Sequence, residues 1–290
     1  MNEKVEKPSW VKVRYKPSKE LMEVEGFLKC KGVHTVCSSA ICPNRMECFS
    51  KRTMTFLILG PYCTRSCRFC SVDKNSHKPY LEFESDEEKI VEAVEKFGLR
   101  HVTITSPTRD DLEDGGAGLY ASIIKKLREL DSPPSIESLI PDFKGNSDAI
   151  DMVVESQPEV LAHNLETIPR LYNRVRIGAD WERSMRVLRH SVDAGNSVTK
   201  TAFIAGLGET NEELIEAMRI ARSAGVDVVV IGQYLRPTSN QMTVQRYVTL
   251  DEFGTLEEEG KKMGYKVSLA GPLYRSSYMA EKAYLTAIGK

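Results

Sequence analysis

Short β-branched and apolar runs recur along the chain: Thr55–Gly60 (TFLILG), His101–Ser106 (HVTITS), Ser135–Ile140, Val160–Glu166, Val198–Ala205, Val226–Gly232 and Lys266–Ala270. Runs of this length between polar stretches predict strands. Between most of them the apolar positions fall at helical spacing. Ile90, Val91, Val94 and Phe97 make one stripe, preceded by Ser85 and Glu88 in capping-box spacing. Trp181, Met185, Leu188 and Val192 make another, closed by Gly195. Thr210 and Glu213 form a second capping box ahead of Leu214, Ile215, Met218 and Ala221. These stripes are core faces and carry no chemistry. Strands alternating with helices predict parallel pairing and right-handed crossovers, in a closed or partly closed barrel or an open doubly wound sheet. In either arrangement ligands gather at the carboxyl ends of the strands. The segment from Cys63, just past the first run, therefore lies on that face. The first fifty residues show no clear alternation and read as an appended lobe.

The composition, 41% hydrophobic and 28% charged over 290 residues, excludes a disordered or collagen-like chain. Forty basic residues against forty-one acidic ones leave a net charge of -1, so no global field draws the protein to nucleic acid or an anionic membrane. Apolar stretches such as Val228–Ile231 are too short to cross a bilayer, and MNEKVEKPSW has no apolar signal core. The expectation is a soluble, cytoplasmic protein with no membrane or nucleic-acid partner. The seven cysteines change the picture. They stand at 30, 37, 42, 48, 63, 67 and 70, all in the first quarter of the chain. Such clustering points to metal ligation or redox chemistry rather than a disulfide framework.

Cys63, Cys67 and Cys70 form a Cys-x3-Cys-x2-Cys loop that can bring three thiolates together. Three is one short of a structural zinc site and one short of the usual ligand set of a cubane iron–sulfur cluster. A cubane held by three cysteines leaves one iron open to a small-molecule chelator. A zinc site completed by a distant His or by Cys48 is the alternative. Arg65 and Arg68 flank the loop and are expected to moderate a cluster's negative charge. Cys37, Cys42 and Cys48 form a second triad, with Pro43 favouring a turn after its middle member. Cys30 fits neither spacing and reads as a plain thiol. Asp110, Asp111 and Asp114 have metal-like spacing but read better as an acidic surface loop, with Gly115 and Gly116 allowing close backbone approach. Gly206 and Gly208 offer a weak signal for backbone approach to a ligand, and His163 reads as a hydrogen-bonded structural histidine.

The Cys63–Cys70 motif, with Phe69 before its last cysteine, resembles the radical S-adenosylmethionine (SAM) superfamily. The resemblance narrows with HTVCSSAICPNRMEC (34–48), GPYCTRSCRFCSV (60–72), TSPTRDDLEDGG (105–116), LIPDFKGN (139–146), HNLETIPRLYNRVR (163–176), GLGET (206–210), IGQYLRPT (231–238) and GPLYRSSY (271–278). These occur in the order seen in lipoyl synthases and span nearly the whole chain. Departures are CSSA for CEEA, NRMEC for NIGEC, GPYC for GDTC, RIGA for RPGA, and Gln241 where His is common. None removes a cluster ligand. They bear on tuning and carrier choice rather than on reaction type.

The resemblance implies a partial (β/α)6 parallel barrel over residues 53–272, an extension over 1–52 that carries auxiliary-cluster ligands, and a segment 273–290 that completes the auxiliary site. It implies that Cys63, Cys67 and Cys70 hold a 4Fe–4S cluster whose open iron binds SAM, and that reduction of this cluster yields a 5′-deoxyadenosyl radical. Cys37, Cys42, Cys48 and Ser277 would hold an auxiliary 4Fe–4S cluster that donates two sulfur atoms. Without the resemblance, Ser276–Ser277 would read as an N-cap for the last helix. A serine alkoxide is a harder ligand than a thiolate and suits a cluster corner meant to be lost. Asn164 and Glu166 match a polar pair that contacts SAM ribose, Phe69 is placed to border the adenine, and Arg275 is a candidate beside the auxiliary site. The implied reaction is sulfur insertion at C6 and C8 of an octanoyl-lysine on a lipoyl carrier domain, of the glycine cleavage H protein or of a 2-oxoacid dehydrogenase E2 subunit. Implied partners are a ferredoxin- or flavodoxin-type reductant and an iron–sulfur carrier that repairs the auxiliary cluster. The rivals are a biotin-synthase-like or methylthiolating radical SAM enzyme and a non-catalytic iron–sulfur module. Basic residues near the first triad (Lys29, Lys31, Arg45, Lys51, Arg52) read as a docking patch for an acidic carrier.

Overall fold

The computed structural model describes residues 6–13, 17–74 and 86–290. Seven strands form one sheet in chain order: β1 (Thr55–Leu57), β2 (His101–Thr105), β3 (Ser135–Leu139), β4 (Val160–Ala162), β5 (Val198–Ala205), β6 (Val228–Gln233) and β7 (Val267–Gly271). Every neighbouring pair is parallel, and each strand falls within or beside one of the runs read from the sequence. The extension holds α1 (Lys19–Lys31), α2 (Val36–Ser39) and α3 (Arg45–Ser50). The crossovers hold α4 (Asp86–Phe97), α5 (Ala117–Arg128), α6 (Ser147–Glu155), α7 (Tyr172–Val175), α8 (Trp181–Asp193), α9 (Asn211–Ser223) and α10 (Leu250–Lys262), and α11 (Ala280–Ala287) follows β7.

Among the described residues no ladder joins β1 to β7. The sheet nevertheless curls, because α11 packs against both β2 and β7. Its Tyr284 stacks on His101 with ring centroids 6.2 Å apart, and its Ala283 meets Val198, Val228 and Val267. A single helix touching the second and seventh strands requires a partial barrel rather than a flat sheet. Along β6, Val228 and Val230 face the barrel interior while Val229 and Ile231 face the helices, the two-residue period of a strand buried on both sides.

Helix α1 was not among the expected elements, although Leu21, Val24, Phe27 and Leu28 share one of its faces. Ser18 caps its amino end by accepting from the Leu21 N–H, and Gly32 ends it in the left-handed region at φ 64°. That face joins Phe49, Phe56 and Phe97 in the core of the barrel's first half, with the Phe27 and Phe97 rings edge-to-face at 5.2 Å. The extension therefore shares the barrel's hydrophobic core.

Two strands stop earlier than their apolar runs. β1 ends at Leu57 because Leu59 and Gly60 turn the chain at φ 64° and 80°. β4 ends at Ala162, and Glu166 (φ 65°) returns to the sheet through an isolated bridge to Phe203. The Thr210–Glu213 capping box forms as expected; the one assigned to Ser85 falls on a residue outside those described. The reading of Ser276–Ser277 as an N-cap is corrected: α11 starts after Met279, which sits at φ 56° and gives no side-chain cap. Among the described residues no helix is long and apolar enough to cross a membrane.

Inside the barrel, Lys200 of β5 and Glu137 of β3 form an ion pair with Nζ 2.7 and 2.9 Å from the two carboxylate oxygens, each side chain 1% exposed. Two buried charges hold each other only by mutual pairing, so removing one strands the other. Lys200→Met is expected to cost about 3–5 kcal/mol in urea unfolding, and Lys200→Met combined with Glu137→Leu to recover most of that loss.

Candidate active site

At the carboxyl ends of the strands lies a cavity of about 330 Å³, reached by Cys63, Cys67, Cys70, Phe69, Asn164 and Glu166. All six are residues singled out in the sequence. The cysteines sit on the loop after β1, whose turn is closed by the Cys63 N–H donating to the Asp73 carbonyl (2.8 Å) and the Cys70 N–H to the Cys67 carbonyl (3.3 Å). Burial raises the Cys67 thiol and pushes Cys70 up to about 12, and the neighbouring cysteines add to both shifts. Such thiols are poor free nucleophiles and become thiolates only when a metal compensates them.

Arg65 acts on the cysteine loop through its charge, which opposes the rise of the Cys67 pKa, and it also has a structural task. Its side chain is 5% exposed and grips Asp110 at 2.8 and 2.9 Å and Asp142 at 2.8 and 2.6 Å. Asp142 also accepts from Arg183 Nε at 2.8 Å. Burial opposes the Asp142 charge, but the Arg65 and Arg183 guanidinium groups hold its carboxyl well below the usual range. Arg65 thus pins the cysteine loop to the loops after β2 and β3, while Arg68 is exposed. The acidic loop is consumed in the same way. Asp111 pairs with Arg109 at 2.8 Å, and Asp114 accepts from the Gly116 and Gly118 N–H groups at 2.8 Å. The close-approach reading of Gly116 fits, since a Cβ there would lie 2.1 Å from Leu59. At Gly206 the space is filled by Gln233 and Arg246, and the N–H goes to Glu209 at 2.5 Å. That fills the Gly206 side of the turn, while Gly208 stays exposed.

Two side chains near this rim make contacts that the sequence did not foretell. Arg176 donates through Nη1 to the carbonyls of Asn164 and Leu165 and to Tyr172 Oη, at 2.9, 3.3 and 2.9 Å, and its charge opposes the rise of the Cys67 pKa. Gln241 donates to the Cys70 carbonyl at 3.2 Å, so this departure from the family pattern still buttresses the cluster loop. No local spacing signals either contact.

At the end of β4, Asn164 Nδ2 donates to Glu166 Oε1 (3.0 Å) and Asn164 Oδ1 accepts from Ser276 Oγ (2.9 Å). Burial raises the Glu166 pKa against the pull of Arg176 and Asn164. Its positive φ is the kind of strain found at ligand sites. His163 donates through Nδ1 to the Ile140 carbonyl at 2.9 Å, as a structural histidine should. Its Nε2 and the Nε of Arg176 are buried without a partner. Two orphaned polar atoms beside three thiols fit a polar organic ligand bound over a metal cluster.

A second cavity, of about 390 Å³, is reached by Cys37, Cys48 and Ser277. Cys42 stands outside its lining but lies within electrostatic range of both cysteines. Burial pushes Cys37 up to about 11 and Cys48 up to about 12. Among the described residues no three His, Cys, Asp or Glu side chains gather closely enough for a single metal ion. The RSSY segment is seated from both sides. Asn44 donates to the Leu273 carbonyl at 2.6 Å and Tyr278 Oη to Glu47 at 3.2 Å. Gly232 of β6 admits the segment, since a Cβ there would meet the Tyr274 carbonyl oxygen at 2.1 Å. Arg275 is half-buried within electrostatic range of Cys42 and Glu166, and desolvation lowers its pKa. The expected basic patch is interleaved with acid: Lys31 pairs with Glu92, Arg45 with Glu25, Lys51 with Glu47 and Arg52 with Glu23. Cys30 is an exposed thiol, apart from both triads.

The family model of the radical SAM superfamily matches residues 57–221. The chain belongs to that superfamily, whose members hold a 4Fe–4S cluster and SAM. The fold agrees with solved members: the FeFe-hydrogenase maturase HydG from Carboxydothermus hydrogenoformans superposes with a TM-score of 0.61 at 13% identity, over 93% of this chain and 69% of that one. Streptococcus suis SuiB bound to S-adenosylmethionine gives 0.59 at 12% identity, over 78% and 54%. The sequence is similar to the lipoyl synthase of Caldanaerobacter subterraneus subsp. tengcongensis, 48% identical over 98% of this chain and 99% of that one. It is likewise 47% identical to the lipoyl synthase of Caldicellulosiruptor saccharolyticus, over 95% and 96%. The chain is a member of the lipoyl synthase family.

His163 gives the site a pH signature. Burial lowers its pKa from 6.5 to about 4, with Arg176 adding to the effect. Between those values the unfolded chain binds the extra proton, so this residue's contribution to stability rises with pH, by about 3 kcal/mol across the window. Asp86, pushed by burial up to about 6, titrates there with the opposite sign. The expected result is that wild type gains stability relative to His163→Gln as pH rises from 4 to 6.5, read as a difference in urea midpoints.

Proposed function

We propose that this chain is a lipoyl synthase that inserts two sulfur atoms, at C6 and C8, into an octanoyl chain amide-linked to a lysine of a lipoyl carrier domain. The observation that carries this reading is that Ser277 shares a cavity with Cys37 and Cys48, while the residue before it contacts Asn164 beside the Cys63–Cys70 loop. When bound, the cofactors supply a 5′-deoxyadenosyl radical at the first site and sulfur at the second. The protein's own task is orientation, because hydrogen abstraction from an unactivated C–H bond needs the reactive centre held close to its target.

In this reading Cys63, Cys67 and Cys70 hold the SAM-binding cluster, and Cys37, Cys42, Cys48 and Ser277 the auxiliary one. Asn164 and Glu166 bind ribose hydroxyls, for which a carboxylate is a suitable double acceptor, and Phe69 borders the adenine. The Arg65–Asp142–Arg183 network fixes the cysteine loop. Residues 1–52 serve as the auxiliary lobe, 53–272 as the catalytic barrel and 273–290 as the closing segment. The partners are octanoylated carrier domains, a ferredoxin- or flavodoxin-type reductant and an iron–sulfur carrier that restores the auxiliary cluster, all in the cytoplasm.

Two experiments test the reading. Anaerobically reconstituted protein should hold about eight irons per chain, as two cubanes require, and mass spectrometry should find two sulfurs on an octanoyl-lysyl carrier peptide after SAM and dithionite are added. SAM cleavage without sulfur on the peptide would keep the superfamily chemistry and remove the substrate. Ser277→Cys should retain iron but lose most product, since a thiolate holds its iron more firmly than an alkoxide; normal turnover would refute the labile-corner role.

A further inference from the structure

Ser276 and Ser277 are adjacent in the chain, yet they face different cavities. Ser276, with Tyr274 and Arg275, lines the cavity of the Cys63–Cys70 triad. Ser277, with Tyr278, lines that of Cys37 and Cys48. The two cavities are therefore lined by neighbouring residues of one segment. Ser276 Oγ donates to Asn164 Oδ1 at 2.9 Å, and Asn164 Nδ2 passes the restraint to Glu166 Oε1 at 3.0 Å. The hydroxyl thus fixes which way the Asn164 amide faces and, through it, the Glu166 carboxylate. Glu166 needs such support because its backbone is held at φ 65°.

The segment is held at its other points by contacts that do not depend on Ser277: the Leu273 carbonyl by Asn44, the Tyr274 backbone by the bare face of Gly232, and Tyr278 by Glu47. Between Tyr274 and Tyr278 the side chains that can register the state of the auxiliary site are Arg275 and the two serines. The Arg275 guanidinium lies within electrostatic range of both Cys42 and Glu166, so the two sites also share a charge.

Resting on the assignment of the two triads above, we propose that Ser276 is a positioning residue that couples SAM binding to occupancy of the auxiliary site. With the auxiliary cluster in place, Ser277 is tethered and Ser276 is held against Asn164. When that cluster has been dismantled, the tether is lost, the Asn164–Glu166 pair relaxes and SAM binds more weakly. Linkage makes the effect reciprocal, so bound SAM also favours an occupied auxiliary site. A chain that has spent its sulfur would then bind fresh SAM less readily until the cluster is restored.

The test is equilibrium dialysis of SAM against anaerobic protein without reductant, so that no turnover occurs. Ser276→Ala is expected to raise the SAM dissociation constant about three- to tenfold, the size of one lost hydrogen bond to a well-packed partner, with iron content and melting temperature unchanged. Ser276→Thr, which keeps the hydroxyl, is expected to bind as wild type does. The triple variant Cys37→Ala, Cys42→Ala, Cys48→Ala should weaken SAM by a similar factor, and adding Ser276→Ala to it should change nothing further. Ser277→Ala offers the same cycle if the triple variant is unstable. Wild-type affinity in Ser276→Ala, or factors that multiply in the combined variants, would overturn the coupling alone. Absence of SAM binding by the wild type would overturn the functional reading and the coupling together.

Discussion

The Tyr274 carbonyl oxygen occupies the space that a side chain at position 232 would need, with a Cβ there falling 2.1 Å away. The site depends on this backbone-on-backbone approach. It lets the segment after β7 lie across the mouth of the barrel instead of passing outside it. Once there, the segment meets the extension through Asn44 and Glu47 and the end of β4 through Asn164. Residues more than a hundred positions apart are thereby brought to one rim. Any residue larger than glycine at 232 would have to move backbone rather than a flexible side chain, which well-packed interiors accommodate poorly.

Charge is buried where position matters. Arg65 lies within the cysteine loop and is held by two carboxylates from two other loops, so that loop cannot shift without breaking several charge-assisted hydrogen bonds. The thiols beside it are pushed towards the protonated form by burial, which ties their ionisation to ligand loading. Rigidity in the scaffold and readiness in the ligands come from the same exclusion of water.

The strands were legible because short β-branched and apolar runs recur between helical stripes, even where polar residues such as Glu137 and Lys200 interrupt them. The triads were legible because cysteine spacing is short-range. What failed was long-range. The partners of Arg65 lie 45 and 77 positions away, so its neighbours in the chain point to its charge beside the cysteines and not to its structural task. Ser277 drew attention only through the family resemblance, and local grammar had made it a helix cap. The contacts of Arg176, Gln241 and Ser276 were invisible for the same reason. The ends of β1 and β4 were misplaced where Leu59 and Glu166 adopt backbone conformations that tertiary context imposes against their own preference. Helix α1 is a different case: its spacing was present in the sequence and was passed over.

The Lys200–Glu137 pair lies beneath the cavity, among Val160, Val198, Val228 and Val267. Neither group can move aside without leaving the other's charge unpaired, so β3 and β5 are locked to one another at that depth. The two strands therefore behave as one rigid wall, and whatever flexibility the site has must come from its loops.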